Sequence, residues 1–429
     1  MKALIVGGGL SGPLLSIFLS ARGHEVELVE RRPDPRTSPP AGGRSINLGV
    51  SARGIRALRA AGLWAEVRKL AVPMRGRMVH LPGKAPAFHP YGRSRDQILH
   101  SVRRDGLASL LVERAEKQSG VRLAFDTPCL AVDPDTATLT LPGRQVSGDF
   151  VVGADGASSV VRTALHRRLA GNFRRDHLEW GYLELTIPAS AGLPIEALHL
   201  WPGSGGLAVA HPNLDGSLTC TLFLPRHGSD PAALIAGQLP GLTALIPDLP
   251  DQLAAAEMST LTTVRTSPWQ HDGRVVLVGD ACHAVYPFYG QGMNSSFEDC
   301  VVLDRCLSEH PPAEAFAAYE RARRPHTDVL AELSERNFFD LRDGVRSPLA
   351  VARKRLDLEL HRLFPNAWVP LYTLVSHTTV PYGDALRRAR TQERIAAAAA
   401  GLTGAALVAA LVAAKGITAR RFRRERTST

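Results

Sequence analysis

The stretch that decides the fold is residues 1–30, MKALIVGGGLSGPLLSIFLSARGHEVELVE. Its apolar start predicts a strand, its middle predicts a helix, and the alternation at its end predicts a second strand. The turn after the first strand reads Gly-x-Gly-x-x-Gly from Gly7, and Glu30 ends the second strand. Such glycines let the backbone approach a pyrophosphate at the helix start, and such an acid binds ribose hydroxyls. The stretch therefore predicts a Rossmann-like α/β domain that binds a dinucleotide.

Two later stretches repeat the combination of apolar strand, glycine and acid. Val151 and Val152 lead to Asp155, and Val275–Val278 lead to Asp280. Behind Asp280, residues 290–292 read Gly-Gln-Gly and open a helical run whose first backbone N–H groups can stabilise negative charge. An Asp-Gly pair alone also fits a plain turn. The order of all three stretches is therefore what favours a nucleotide site.

Composition narrows the class of protein. The 429 residues suffice for two domains. The five cysteines form no Cys-x-x-Cys pair, and Lys2 leads directly into a strand, so we expect a cytoplasmic protein without a signal peptide. The 15 histidines show no metal-ligand spacing, so no metal is expected. The net charge is +10, but no nucleic-acid motif accompanies it, so no nucleic-acid partner is expected.

The middle of the chain differs from the rest in its pattern. Short β-like runs with turn residues between them occupy two blocks and predict an antiparallel sheet inserted into the nucleotide-binding domain. Helical patterns dominate after residue 312. The expected parts are a discontinuous FAD-binding domain (1–71, 101–177 and 260–320), a substrate-binding β-sheet domain (72–100 and 178–259), a helical region that closes the active site (321–394) and a tail (395–429).

The three Gly/Asp stretches, in this order, resemble the FAD-dependent aromatic hydroxylases that have a single nucleotide-binding domain. The resemblance implies tightly bound, non-covalent FAD. Because no second Gly-x-Gly-x-x-Gly is present, it also implies that NADPH visits only as a transient co-substrate, with O₂ as the oxidant. The FAD contacts that it implies are Gly7, Gly9, Leu10, Ser11, Gly12, Glu30, Arg44, Asn47, Arg104, Asp155, Gly156, Asp280, Gly290, Gly292, Met293 and Asn294.

Further segments resemble the kynurenine 3-monooxygenase family more narrowly. They include RSINL at residues 44–48, MRGRM at 74–78 and PFYGQGMN at 287–294, and the similarity runs from residue 3 to about 390. The resemblance implies that FAD, NADPH and O₂ are used to hydroxylate L-kynurenine beside its aromatic amine, giving 3-hydroxykynurenine. It places substrate contacts at Arg77, Tyr91, Asn337, Asp340 and Tyr382, with Phe223 and Phe288 as walls.

The residues themselves suit this chemistry. Kynurenine is a small aromatic amine that carries an α-amino acid, so its pocket needs a carboxylate receptor beside an apolar slot. Arg77 can supply a bidentate guanidinium and Tyr91 a phenol donor. Judged alone, Arg77 also fits a solvated strand arginine, and Tyr382 fits a packing residue. No covalent nucleophile is expected, and His283 is interpreted as a packing or hydrogen-bonding residue because the cofactor carries the chemistry.

At two positions the sequence departs from the family pattern, and these departures leave the identity of the substrate open. Asn337 is followed by Asp340-Leu341 where the family has Glu-Met, and Tyr289 adds a hydroxyl. One alternative is a hydroxylase of a different arylamine or amino-acid-derived aromatic compound. A second is a membrane-attached flavin redox protein without oxygenase activity.

The tail carries its own alternatives. Ile395–Ala414 contains no charge and a basic cluster follows it, so the last fifteen residues carry a net +5. Twenty uncharged residues are long enough to cross a bilayer. Because most of them are alanine, the free energy of inserting this segment is only marginally favourable. Membrane association and an alanine-rich helix that docks on the body both remain open.

Overall fold

The computed structural model describes residues 1–38, 46–92, 97–228, 230–239, 241–342, 348–365 and 367–398, without the side chains of residues 348–355. Residues 382–398 are helical. The strands are β1 Lys2–Val6, β2 Glu25–Val29, β3 Asn47–Val50, β4 Ala71–Met74, β5 Gly76–Val79, β6 Ala87–Pro90, β7 Leu99–Arg103, β8 Val121–Ala124, β9 Ala131–Asp133, β10 Thr138–Leu141, β11 Arg144–Ser147, β12 Phe150–Gly153, β13 Asn172–Ile187, β14 Ala197–Pro202, β15 Leu207–Pro212, β16 Leu218–Pro225, β17 Ser259–Ser267, β18 Gln270–His271 and β19 Val275–Leu277. The helices are α1 Ser11–Ala21, α2 Ala52–Ala60, α3 Trp64–Val67, α4 Arg104–Glu116, α5 Val160–Leu169, α6 Pro231–Gln238, α7 Leu242–Leu245, α8 Leu249–Ala255, α9 Asp280–His283, α10 Gly292–Glu309, α11 Pro312–Arg342, α12 Pro348–Leu363 and α13 Leu371–Ser376.

A six-stranded sheet in the order β18-β19-β12-β1-β2-β8 forms the nucleotide-binding half. All its neighbouring pairs are parallel except the β18–β19 edge. Its central strands are apolar and buried, because α1 and the small sheet of β9, β10 and β11 pack with them in one hydrophobic core. The register pairs Val6 with Gly153 and Gly153 with Leu277. The three Gly/Asp stretches therefore end at the same edge of one sheet, which confirms the predicted Rossmann-like class.

A seven-stranded sheet in the order β17-β13-β16-β15-β14-β5-β6 lies beside it. It is antiparallel, as predicted for the inserted sheet, except that β5 and β14 run parallel. The long strand β13 begins at Asn172, so the expected boundary at 177 falls inside it, and the boundary at 260 falls inside β17. The domain boundaries stay a prediction.

The helical region after residue 312 packs against both sheets. Helix α11 spans 31 residues and packs along α10. At its end, Phe338 joins the aromatic cluster of the seven-stranded sheet, while α13 and the residues around Tyr382 form a cluster with Tyr289. Among the helices that the structure describes, none is long and apolar enough to span a membrane. The predicted apolar segment Ile395–Ala414 lies outside the described residues from residue 399 onwards.

Candidate active site

A cavity of about 760 Å³ lies between the carboxyl edge of the six-stranded sheet and one face of the seven-stranded sheet. This is where open α/β sheets bind nucleotides. Most of the residues predicted to contact FAD line it. They are Gly7, Gly9, Leu10, Ser11, Glu30, Asn47, Arg104, Asp155, Gly156, Asp280, Gly290, Gly292 and Met293.

The turn between β1 and α1 fits a pyrophosphate. Gly7 has a positive φ of 113°, and a Cβ added there would meet the carbonyl oxygen of Ala154 at 2.4 Å. Gly9 lines the cavity, and a Cβ added there would meet no protein atom within 4 Å. None of the side chains described caps the start of α1. A glycine backbone open to the cavity and an uncapped helix start are what an anionic dinucleotide requires.

Glu30 is held ready for a ribose. Its Oε2 accepts a hydrogen bond from the backbone N–H of Gly8 at 2.6 Å, and its Oε1 accepts one from Nε of Arg32 at 2.9 Å. Burial favours the neutral acid, but the hydrogen bonds from Arg32 and Gly8 outweigh it and hold the pKa of Glu30 below its ordinary value. The ionised carboxylate can therefore accept hydrogen bonds from a hydroxyl pair.

Two aspartates lie at the other strand ends. Asp155 Oδ2 accepts backbone N–H groups from the start of α5 at 2.7 and 3.3 Å. Its Oδ1 is buried without a hydrogen-bond partner among the described residues. Asp280 is exposed where it opens on the cavity, and desolvation by the surrounding protein raises the pKa of both carboxyls. Both sites suit hydroxyl or amide donors on a bound cofactor, so the residues present fit FAD.

Two of the predicted FAD residues that the structure describes, Gly12 and Asn294, do not line the cavity. Gly12 is buried, and a Cβ there would meet the carbonyl oxygen of Gly7 at 2.0 Å, so its role is close packing of helix on turn. Asn294 is buried; its Oδ1 accepts the N–H of Ser51 and its Nδ2 donates to the carbonyl oxygens of Gly49 and Gly290. It therefore joins the start of α10 to the turn after β3. Arg44 lies outside the described residues.

The other end of the cavity holds a cation beside an apolar slot. The guanidinium of Arg77 lies over the ring of Tyr372 at 4.3 Å and 5.6 Å from the ring centre of Tyr91. Its Nε is buried without a hydrogen-bond partner among the described residues. By contrast, Arg75 on the same chain segment is exposed and pairs with Glu196 at 3.1 Å. Arg77 is thus a cation that opens on the cavity with no carboxylate of the described chain beside it.

The walls of this slot are aromatic. Phe223 and Phe288 line the cavity with ring centres 5.0 Å apart, and Phe338 supports Phe288 from behind at 4.6 Å. Tyr289 also lines the cavity, and its ring stacks on Tyr372 at 5.8 Å. The arrangement matches the carboxylate receptor and apolar slot expected from the sequence.

Four of the predicted substrate contacts lie behind or outside this wall. Tyr91 is buried behind Arg77, and Asn337 donates a hydrogen bond to the carbonyl oxygen of Phe288 at 2.7 Å. Asp340 is exposed and does not line the cavity. Tyr382 is fully buried, with its hydroxyl 3.3 Å from Oε1 of Gln291 and Arg53 over its ring at 3.9 Å. The structure therefore brings none of these four side chains to the cavity surface, and Tyr91 and Asn337 only contact residues that line it.

Among the lining residues that sequence reasoning missed, Tyr372 and His211 bring polar groups to the substrate end. Tyr372 reaches the cavity from α13, and His211 reaches it from β15. Tyr372 belongs to the segment PLYTLV at residues 370–375, which is part of the family resemblance but gives no sign of which way its tyrosine points. His211 could have been suspected from the strand alternation that places it on the same face as Val209.

One group of side chains near the cofactor edge has the composition of a metal site. The ligand atoms of Cys282, His283 and Asp299 lie within 4.8 Å of one another. However, Asp299 already accepts hydrogen bonds from Nε2 of His283 at 2.5 Å, Nε of Arg323 at 2.7 Å and the N–H of Gly279 at 3.0 Å. The adjacent arginine would repel a cation, so this group is interpreted as a structural network.

Known proteins resemble this chain over nearly its whole length. A family model described as "FAD binding domain" matches residues 1–210 and 238–334. The chain is similar to the kynurenine 3-monooxygenase of Salinispora arenicola, with 51% identity over 98% of each chain. It is similar to that of Salinispora tropica, with 50% identity over 99% of this chain and 98% of the relative.

Among solved structures, it resembles a variant of HpxO from Klebsiella pneumoniae complexed with FAD, with a TM-score of 0.68 and 19% identity over 85% of this chain and 97% of that one. This likeness concerns the fold alone. The family is identified by two findings together: the match to the FAD-binding family model, and about half of the residues identical to the curated relatives over nearly the full length. The chain is an FAD-dependent aromatic monooxygenase that belongs to the kynurenine 3-monooxygenase family.

Proposed function

We propose that this protein hydroxylates L-kynurenine on the ring carbon beside the arylamine, with NADPH as reductant and O₂ as the source of the oxygen atom. The observation that carries the proposal is Arg77, whose guanidinium opens on an aromatic slot without a carboxylate of the described chain beside it. An α-carboxylate supplies the missing anion, and the slot takes the ring. FAD, when bound, supplies the reduction and oxygen activation that side chains cannot perform.

The residues of the chain then bind and orient the substrate. Arg77 holds the carboxylate, and the Tyr91 and Tyr372 rings beside the guanidinium limit how it can turn. Burial raises the pKa of Tyr91 and of Tyr289, so both phenols are neutral at physiological pH. Phe223 and Phe288 exclude water from the ring. No side-chain nucleophile is required, because the arylamine nitrogen already donates electrons into the ring.

The direct test is product formation. The FAD-loaded protein is mixed with NADPH, O₂ and L-kynurenine, and the products are examined by mass spectrometry. We expect kynurenine to accelerate NADPH oxidation and to gain one oxygen atom. NADPH oxidation that kynurenine does not accelerate, without a hydroxylated product, would contradict the proposal.

The role of Arg77 has a matched test. Arg77→Ala should raise the KM for kynurenine by about 100-fold, because a charge-assisted contact in a desolvated site is lost. The FAD content should not change. Arg75→Ala is the control, since Arg75 is exposed and paired with Glu196. An unchanged KM in Arg77→Ala would refute the assigned role.

A ring-substituted kynurenine is the second candidate substrate, and Tyr289 is the observation that favours it. Its phenol lines the cavity and would meet a polar ring substituent. Asp340, which stands where the family has Glu, does not support this candidate, because its side chain is exposed and does not line the cavity. Comparing kcat/KM for kynurenine and for hydroxy- or halogen-substituted kynurenines distinguishes the two. A higher value for kynurenine itself would remove this candidate.

For the tail we propose peripheral contact between its basic cluster and an anionic membrane surface, with the enzyme working in the cytoplasm. The net +5 of the last fifteen residues supports this. Full-length protein should pellet with vesicles that contain anionic lipid, and a 1–394 truncation should not. Equal distribution of the two proteins would contradict the proposal.

A further inference from the structure

His211 is a hydrogen-bonding residue on the cavity wall that no step described above uses. It lies on β15, and its side chain lines the cavity on the same sheet face as Val209. Among the described residues, no hydrogen bond or ion pair to its imidazole is found, whereas His199 on the neighbouring strand bonds to Nε2 of His80 and to the carbonyl oxygen of Pro194. The imidazole of His211 thus opens on the cavity with its polar atoms uncommitted.

The protonation state of His211 suits an acceptor. Burial lowers the pKa of His211 to about 4. The ring is therefore neutral at physiological pH and carries one N–H donor and one bare nitrogen. A neutral imidazole also places no second cation beside Arg77, so it does not compete for the substrate's carboxylate.

The sheet register fixes where His211 lies relative to Arg77. Arg77 on β5 pairs with Leu198 on β14, and His199 pairs with Ala210 on β15. Because β14 and β15 are antiparallel, the same register places Leu198, one residue before His199, beside His211, one residue after Ala210. Arg77, Leu198 and His211 all line the cavity, so they form one row across three adjacent strands. At a spacing of about 4.8 Å per strand, the Cα atoms of Arg77 and His211 are about 10 Å apart.

This row has the length and polarity of the proposed substrate. Six covalent bonds separate the carboxylate carbon of kynurenine from its arylamine nitrogen, and a zigzag chain of bonds of about 1.5 Å spans about 7 Å. With a hydrogen bond of about 3 Å at each end the total span is about 13 Å. The side chains of Arg77 and His211 rise from Cα atoms about 10 Å apart and can diverge by the few ångströms that remain. The apolar Leu198 lies between the two polar residues, where the carbon skeleton would lie.

We propose that His211 accepts a hydrogen bond from the arylamine N–H of the substrate and so selects aromatic substrates that carry this amine. The inference rests on the proposed function, because Arg77 must hold the carboxylate for the ring to lie beside His211. The arylamine nitrogen is a donor here and not an acceptor, since its lone pair is delocalised into the ring. The contact fixes the ring's rotation about its bond to the acyl chain, and therefore the side to which the free ring carbon beside the amine is turned.

The test is a binding cycle between the residue and the substrate amine, measured with the FAD-loaded enzyme. The two ligands are L-kynurenine and the analogue in which a hydrogen replaces the ring amine. The wild-type protein should bind kynurenine roughly three- to tenfold more tightly than the analogue, the size of one neutral hydrogen bond. His211→Leu should bind both ligands equally, and His211→Gln, which keeps an acceptor, should retain part of the preference.

The control is Val209→Ala on the same strand face. This substitution removes part of the apolar cavity wall, so it should weaken the binding of both ligands by the same factor and leave the preference for kynurenine over the analogue unchanged. FAD content and circular dichroism check that each variant is folded. If the wild-type protein prefers kynurenine and His211→Leu keeps the full preference, this inference is wrong while the proposed function stands. If the wild-type protein does not bind kynurenine at all, both are wrong.

Discussion

Two tyrosines of the helical region have different surroundings. Tyr372 lines the cavity and its ring lies 4.3 Å from the guanidinium of Arg77. Tyr382 is fully buried, with Arg53 over its ring and its hydroxyl near Gln291. Tyr372 therefore holds the guanidinium of Arg77 at the cavity, and Tyr382 holds the helical region against the start of α10.

This difference predicts separable effects. Tyr372→Leu should weaken kynurenine binding about tenfold, because it removes a cation–π contact that helps to hold the Arg77 guanidinium. Tyr382→Phe should lower the free energy of unfolding by about 1 kcal/mol through its lost hydrogen bond and leave kynurenine binding unchanged. Titration of the flavin spectrum with kynurenine and urea unfolding measure the two quantities. Weaker kynurenine binding in Tyr382→Phe alone would reverse the assignment.

At the scale of single elements, the turn between β1 and α1 carries the cofactor prediction. Gly9→Ala should leave the FAD-free fold intact, because the added Cβ meets no protein atom within 4 Å. The Cβ would enter the space of the pyrophosphate, and overpacking of this kind costs about 1–3 kcal/mol of FAD affinity. The flavin-to-protein absorbance ratio and fluorescence of released FAD measure the loss.

Gly237→Ala in α6 is the control for this turn. A Cβ there also meets no protein atom within 4 Å, and alanine suits a helix better than glycine. Its FAD affinity should equal that of the unmodified protein. If Gly9→Ala also bound FAD normally, the pyrophosphate would not lie at this turn.

At the scale of the whole molecule, Arg323 joins the helical region to the cofactor edge. From α11 its guanidinium contacts Glu298 and Asp299 on α10, and Asp299 in turn accepts the N–H of Gly279 beside Asp280. Burial alone would raise the pKa of both carboxyls. Arg323, with Arg53 at Glu298 and His283 at Asp299, outweighs burial and holds the pKa of each below its ordinary value.

Arg323→Met should therefore lower the free energy of unfolding at pH 7 by about 3–5 kcal/mol, since two buried carboxylates lose the cation that they share. A carboxyl whose pKa is lowered by folding stabilises the protein above its unfolded value, which is about 4. That stability is lost as the pH falls through the lower folded value. The deficit of the variant should thus be full at pH 7 and shrink below about pH 4.

Urea unfolding across this pH range measures the deficit. Arg321→Met is the control, because Arg321 is exposed on the same helix, and it should change the free energy of unfolding by less than about 0.5 kcal/mol. A deficit in Arg323→Met that did not depend on pH would show that the two carboxylates are not its source.

The sequence by itself determined the fold class, the cofactor and the family. Strand periodicity and the glycines of Gly7–Gly12 are local properties, and the three Gly/Asp stretches must meet because parallel strands end at one sheet edge. The family resemblance, carried by sequence segments, pointed to Arg77, Phe223 and Phe288, and all three line the cavity.

Only the tertiary structure decided which side chains reach the cavity from the sheet face and from the helical region. Residues such as Tyr372, Tyr382 and Asp340 lie on separate short elements, and packing against the sheets, which no local pattern encodes, sets which way each one points. The position of His211 in one row with Arg77 depends on the pairing of β14 with β15 and on the parallel pairing of β5 with β14. Long-range register therefore decided the substrate end of the site, while local sequence determined the cofactor end.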